Sequence, residues 1–181
     1  IGTGTGAGEF FISLGSSGKL WFNLNGAGWT RSIAFTDTSS WHHVVCVYSA
    51  GSESNSLLYL DGESVGATAG TFPSASDLDF GTNNKLAIGT FWTWATYPFL
   101  GSISDVKVFD TALTEAQVQE LYLKPEQSAP SAVQDNIVAW YPMCEGNPDS
   151  PQSIVYDHSE KKLGSEEVTN GSFNADSDWT K

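Results

Sequence analysis

Four aromatic rings crowd the eight residues 92–99. Trp92, Trp94, Tyr97 and Phe99 all fall within TFWTWATYPFL, residues 90–100. Flat aromatic faces stack on the C–H faces of sugars, and Trp and Tyr add a polar handle. In an extended segment Trp92 and Trp94 point to the same side. Two readings stay open: these rings meet a ligand, or they cap the core or pack against a neighbouring subunit. His42 and His43 are adjacent, and adjacent strand residues point to opposite faces, so the pair cannot chelate one metal together. Packing is the reading for both. Asp61-Gly62 is a turn signal that needs no chemistry. Asp77-Leu78-Asp79 is the nearest thing to a paired-acid motif, and no glutamate accompanies it. Nothing resembles a nucleophile elbow, a phosphate loop or a zinc cluster. Asn170-Gly171-Ser172 has the form of a glycosylation acceptor. Cys46 and Cys144 are the only cysteines. Cys46 lies in the apolar run VVCVY and reads as a buried thiol, with a 46–144 disulfide as the alternative.

The elements that must position these residues are strands. The chain has 181 residues, with 18 glycines, seven tryptophans and many Ser/Thr/Asn turns, a composition that fits an all-β protein. Twenty-one acidic residues against eight basic ones give a formal charge of −13. That argues against nucleic acid, because phosphate binding rests on clustered Lys and Arg. It also disfavours anionic membrane surfaces, and the apolar runs are far too short to span a bilayer. The chain opens at Ile1 without a methionine and stops mid-pattern at Lys181, which reads as a piece of something longer.

In order, Gly2–Gly8 is a Gly/Thr turn-like stretch. Phe10–Leu14 and Lys19–Leu24 are short strands, and Asn25-Gly26 is a hairpin turn. Trp29–Phe35 places Trp29, Arg31, Ile33 and Phe35 on one face. Trp41–Tyr48 is almost continuously apolar, as a strand covered on both faces should be. Ser56–Leu60 runs into the Asp61-Gly62 turn, and Glu63–Ala67 returns. Gly70–Gly81 is a long connection, Lys85–Gly89 a strand. In Gly101–Phe109 the apolar positions Ile103, Val106 and Val108 slip phase at Ser104–Asp105, which calls for a bulge or for two buried faces. At a bulge, Asp105 accepts backbone hydrogen bonds. Next, Thr114-x-x-Gln117 has the form of a capping box, with Leu113 and Val118 as its hydrophobic staple. Val118, Leu121 and Tyr122 form one helical stripe, and Pro125 limits the helix. So short a helix needs a folded surface beneath it. Lys124–Asn136 is a Pro/Ser/Gln/Ala linker.

Two of these stretches resemble the laminin-G-like, concanavalin A-like lectin/glucanase domains. One is the closing segment GSISDVKVFDTALTEAQVQELY, residues 101–122. The other is Trp41-His42-His43-Val44 followed by the apolar strand Leu57–Leu60 and Asp61-Gly62. Ile137–Pro142, Glu145-Gly146 and Val155–Ser159 resemble the opening of the same family. Either they begin a second repeat or they fold back as the missing edge strand. Glu166–Lys181 resembles the first strand of a carbohydrate-binding module. The resemblance implies an all-β antiparallel sandwich, a concanavalin A-like jelly roll, with one short helix at about 115–123. It implies a domain at 1–123, the linker 124–136, an opening segment at 137–165 and a further β-module from 166 to 181. It also implies a structural calcium held by Asp105 and Asp157, although Ser104 replaces one of the family's usual paired acids. Glycanases of this fold carry Glu-x-Asp-x-x-Glu on one strand, and the chain lacks it. The lyase relatives need several basic and polar residues on one sheet, and Arg31 is the only arginine.

The expectation is therefore a non-catalytic lectin-like module that meets glycan or a surface protein through the rim rings Trp92, Trp94, Tyr97 and Phe99. The alternative is a purely structural part of a large assembly, packed against neighbouring subunits or modules. A polysaccharide-acting enzyme ranks below both. Either of the first two belongs outside the cell, on a cell surface or in a virion such as a phage fibre.

Overall fold

The structure is a computed structural model. It describes residues 2–3, 10–15, 17–24, 28–73, 86–89, 98–125, 127, 129–144 and 155–159. The chain divides into two compact units. The first holds residues 1–102 and 112–131, the second residues 103–111 and 132–181.

The first unit is built on two antiparallel sheets. Strands β1 (Gly2–Thr3), β2 (Phe10–Gly15), β3 (Lys19–Leu24), β4 (Trp29–Ala34), β8 (Ala67–Gly70) and β9 (Leu86–Ala87) form one sheet in the order β8-β4-β3-β2-β1-β9. Strands β5 (Val44–Val47), β6 (Leu57–Leu60) and β7 (Glu63–Val65) form the other. Period-two alternation selects the core. Leu20, Phe22 and Leu24 of β3 and Trp29 of β4 point inward and meet Leu58 of β6. Ile33, Phe35, Val44, Cys46, Leu60 and Phe72 pack around them. Trp29 is fully buried, with Phe22 and Phe72 edge-on at 5.8 and 5.3 Å. Edge-to-face contacts suit the ring quadrupoles. This is the all-β sandwich that the resemblance implies.

Differences lie at strand ends. Trp41–Tyr48 is not one covered strand. Only Val44–Val47 pairs, and Trp41 is 69 % exposed. Residues 41–43 are held by side chains instead of a ladder, as described below. Gly70, at the end of β8, has φ +86°, and a Cβ there would stand 2.0 Å from the Gly28 carbonyl oxygen. Only glycine admits so close an approach of the end of β8 to the start of its ladder partner β4.

Helix α1 (Glu115–Leu123) carries the capping box that Thr114-x-x-Gln117 predicts. The Gln117 N–H donates to Thr114 Oγ1 at 3.4 Å, and the Thr114 N–H donates to Gln117 Oε1 at 2.8 Å. Leu113, Val118 and Leu121 are buried. Tyr122 is the exception in the stripe, 43 % exposed. Its ring lies over Gly62 of the β6–β7 turn, where a Cβ would come within 2.9 Å of it. The helix thus lies against the three-stranded sheet through β7.

The second unit pairs β10 (Val106–Phe109) with β11 (Ile137–Tyr141), antiparallel, with Lys107 opposite Trp140. The phase slip at Ser104–Asp105 lies outside this ladder. There Asp105 takes φ +55°, and its N–H donates to the Pro142 carbonyl at 3.2 Å. The ladder's own irregularity falls between Val108 and Phe109, opposite Ala139 and Ile137, so Val138 is the extra residue. The stretches 145–154 and 160–181, with Asn170 and the second-module resemblance, lie outside the described residues.

Two substitutions test the helix seat in chemical denaturation. Thr114→Ala removes one half of the box and is expected to cost about 1 kcal/mol. Gly62→Ala adds both a left-handed strain and a ring clash, and is expected to cost more than about 1 kcal/mol. An unchanged midpoint in both would mean that α1 is not seated as described.

Candidate functional site

The aromatic loop is the first sequence-predicted site. Trp92, Trp94 and Tyr97 lie outside the described residues. Phe99 is described, and it closes the loop at its base. Its N–H donates to the Gly89 carbonyl at 2.8 Å. Phe99 is 44 % exposed and Leu100 92 % exposed. The ladder residues Leu86–Ala87 lead into this closure. The ends of the aromatic run are therefore pinned together, with apolar surface in water beside them.

The face of β3 turned away from the core carries further polar groups. Trp21 and Asn23 alternate with the inward Leu20, Phe22 and Leu24. Asn23 is 1 % exposed. Neither its Oδ1 and Nδ2 nor the Trp21 Nε1 has a hydrogen-bond partner within the protein. Buried polar groups are nearly always satisfied.

His42, His43 and Asp61 form a tight cluster that ties Trp41–Val44 to the Asp61-Gly62 turn, the two halves of one resemblance-bearing stretch. The Asp61 carboxylate accepts from the His43 backbone N–H at 2.9 Å and meets His42 Nδ1 at 2.8 Å. The Asp61 N–H donates back to the His43 carbonyl at 2.8 Å. His42 Nε2 stands 3.5 Å from Asp37, an ion-pair distance longer than a hydrogen bond. Its ring lies edge-on to Phe35 at 5.0 Å. Both histidines thus have the packing role expected of them. Asp61 does more than turn the chain. With φ +52° it aims its carboxylate back at residues 42 and 43. Its bond to Nδ1 raises the pKa of His42 above the ordinary 6.5, against the opposing effect of partial desolvation. Asp37 is held down to about 2, first by the Ser39 N–H and then by the Ser39 hydroxyl.

The two cysteines are free thiols, so the disulfide alternative is not formed. Cys46 packs against the core, and burial pushes its thiol well above the ordinary range, as expected for an inert thiol. Cys144 is exposed.

In the second unit, Asp105 and Asp157 both attend Trp140. Asp105 Oδ1 accepts from the Trp140 indole N–H at 2.8 Å, and Oδ2 meets the Lys107 ammonium at 2.5 Å. Lys107 also lies over the Trp140 ring, 5.6 Å from its centre. Asp157 Oδ1 accepts the backbone N–H groups of Trp140 and Ser159, each at 3.0 Å. The His158 N–H donates to the Trp140 carbonyl at 2.6 Å. Residues 157–159 are thereby stitched to β11. Asp105 does not accept backbone N–H groups at a bulge. An indole and an ammonium take that place, and spacing alone does not show either. Calcium wants six to eight oxygens. Here both Asp105 oxygens are met by N–H donors, one of them a cation. As arranged, these residues fit a calcium cage only with Lys107 displaced. Among the described residues no group of three or more His, Cys, Asp or Glu is placed to hold a metal.

A family model described as the concanavalin A-like lectin/glucanases superfamily matches residues 1–119. The chain belongs to this superfamily. The match takes in the strands of the sandwich unit, β10 of the second unit and the first half of α1. No curated protein and no solved structure gave a match. Superfamily membership supports a carbohydrate-binding-type module in general terms. Laminin G-like domains are usually non-catalytic, while the superfamily also includes glucanases. Asp77 and Asp79, the nearest approach to an acid pair, lie outside the described residues. Among the described residues no helix is long and apolar enough to cross a membrane.

Two measurements check this chemistry. The folded-state pKa of His42 lies above its unfolded value. Its contribution to stability is therefore fully present below about pH 6.5 and is lost as pH rises through the raised pKa. The urea midpoint is expected to fall over that window, and His42→Gln is expected to flatten the fall. An equally steep fall in the variant would discount the Asp61–His42 bond. Calorimetric titration with CaCl2 is expected to give no saturable heat. A saturable heat that Asp157→Asn removes would restore calcium to Asp105 and Asp157.

Proposed function

We propose that the chain is a non-catalytic, lectin-like binding module of a larger extracellular or virion protein. It takes glycan, or a glycan-bearing surface protein, on the aromatic loop 90–99. The observation that supports this best is the loop's construction: four rings in eight residues, closed at the base by the Phe99–Gly89 hydrogen bond. A loop pinned at its base loses less freedom on binding than an open one. Trp92 and Trp94 stack on sugar faces, and Tyr97 adds a hydroxyl. The formal charge of −13 favours neutral partners, or partners met at a local positive group, over nucleic acid. The superfamily's carbohydrate-binding character points the same way.

The second reading is a structural part of an assembly, with the same rings buried against a neighbouring subunit. Exposed Leu100 and Phe99 favour it as an apolar contact. A glycan array with the full chain separates the two. Binding to a defined glycan class is expected, with at least about tenfold loss in the Trp92→Ala/Trp94→Ala double variant. No glycan binding, together with an oligomer by light scattering that the double variant breaks into monomers, would favour the structural part. Turnover of a polysaccharide would overturn both.

A further inference from the structure

An open groove of about 520 Å³ lies between the β5–β6 loop and the β8 edge, lined by Arg31, Gly51, Ser52, Glu53, Ser54 and Thr68. It shares no residue with the aromatic loop. We propose that it binds an acidic saccharide unit, a uronic acid residue, with the Arg31 guanidinium on the sugar carboxylate and Glu53 on sugar hydroxyls.

Arg31 is the only arginine of the chain. It stands in β4 opposite Phe22 on one side and Thr68 on the other. It follows Trp29 and precedes Ile33 at the inward positions of the strand, so its stem rises from the apolar face of the sheet. Its Nε is buried and has no hydrogen-bond partner. Among the described residues no carboxylate pairs with it, although the chain carries 21 acids. A half-buried guanidinium without an acceptor is costly. A planar fork of N–H donors is suited to a carboxylate.

Glu53 is in the same groove, yet it does not neutralise Arg31. The Trp29 indole N–H holds its Oε1 at 2.9 Å. That leaves Oε2 as an acceptor. The loop that carries it is shaped in advance. The Ser49 N–H donates to Ser56 Oγ at 3.0 Å, the Ser56 hydroxyl donates to the Ser52 carbonyl at 3.0 Å, and Glu53–Asn55 forms one tight helical turn. Ser56 is fully buried. The groove therefore offers a cationic fork, a carboxylate acceptor and the hydroxyls of Ser52, Ser54 and Thr68. A simple anion satisfies only the fork, and Glu53 and the net charge repel it. A neutral sugar satisfies only the acceptors. A sugar ring with one carboxylate and several hydroxyls satisfies both. The volume suits a small ligand.

The probes are trisaccharides of galacturonic, glucuronic and mannuronic acid, each beside its methyl ester, titrated into the full chain by NMR. The ester keeps every hydroxyl and removes the charge. At least one acid is expected to bind about tenfold tighter than its ester, with shifts at Gly51–Ser54 and Thr68. Arg31→Gln is expected to abolish that preference. Thr68→Glu sets a carboxylate across the ladder from Arg31. It is expected to block binding without lowering the unfolding midpoint, which covers the case in which Arg31→Gln fails to fold. Trp92→Ala/Trp94→Ala is expected to leave uronate binding within about twofold. Equal binding of acid and ester, wild-type uronate affinity in Thr68→Glu, or loss in the tryptophan variant would each overturn the proposal.

Discussion

The sandwich depends on burying one polar-tipped ring. Trp29 has no exposed surface, so its indole N–H must find an acceptor inside the protein. It finds Glu53, which the loop between β5 and β6 delivers from the opposite sheet. Several consequences follow from that single bond. It fixes where the β5–β6 loop sits relative to β4. It commits one oxygen of the nearest carboxylate to an indole, which leaves Arg31 of the same strand without a countercharge. It also sets Glu53 in the wall of a polar groove that Arg31 and Thr68 line from the other side. Phe22 and Phe72 complete the packing around the ring, within the apolar cluster where the two sheets meet.

A second polar device works the same way at the other end of the small sheet. Asp61 turns the chain from β6 to β7, and its carboxylate gathers residues 42 and 43, which no ladder holds. The Trp-His-His-Val and Asp-Gly stretches are separate in sequence, and each supplies half of one hydrogen-bonded cluster. The second unit repeats the logic with Trp140 at its centre. Asp105, Lys107 and Asp157 all converge on that residue, two through its side chain and one through its backbone. In all three places a carboxylate is used to position chain segments. Acidic residues that look like ligands in the sequence are here largely structural acceptors.

The charge balance sharpens this. With so few cations, the assignments among the described residues are easy to follow. Lys107 closes on Asp105 and Trp140, and Lys124 reaches Glu120 one turn back on α1 at 3.6 Å. Among the described residues Arg31 is placed inward, with its Nε buried and left without a partner. In a chain with this excess of acids that is not a shortage of carboxylates. It is a matter of where the sheets allow them to come.

Much of the fold was legible in the sequence. Short apolar runs bounded by turn signals located β2, β3, β4 and β6, because such runs and turns are local features of the chain. The capping box and staple located α1 to the residue, because those bonds are local. The family resemblance rested on short stretches of the same kind. The sequence also determined the chain's acidity, its strand-rich composition and the grouping of the four rings. Tertiary structure alone decided the rest. That Trp41 is exposed, that Asp61 reaches back to His42, and that Lys107 and Trp140 hold Asp105 are contacts between residues distant in the chain, and no local spacing encodes them. The groove at Arg31 is of the same kind. Alternation sets the arginine on the inward face, but only the approach of the opposite sheet's loop, held by Trp29 and Ser56, decides whether its charge is matched.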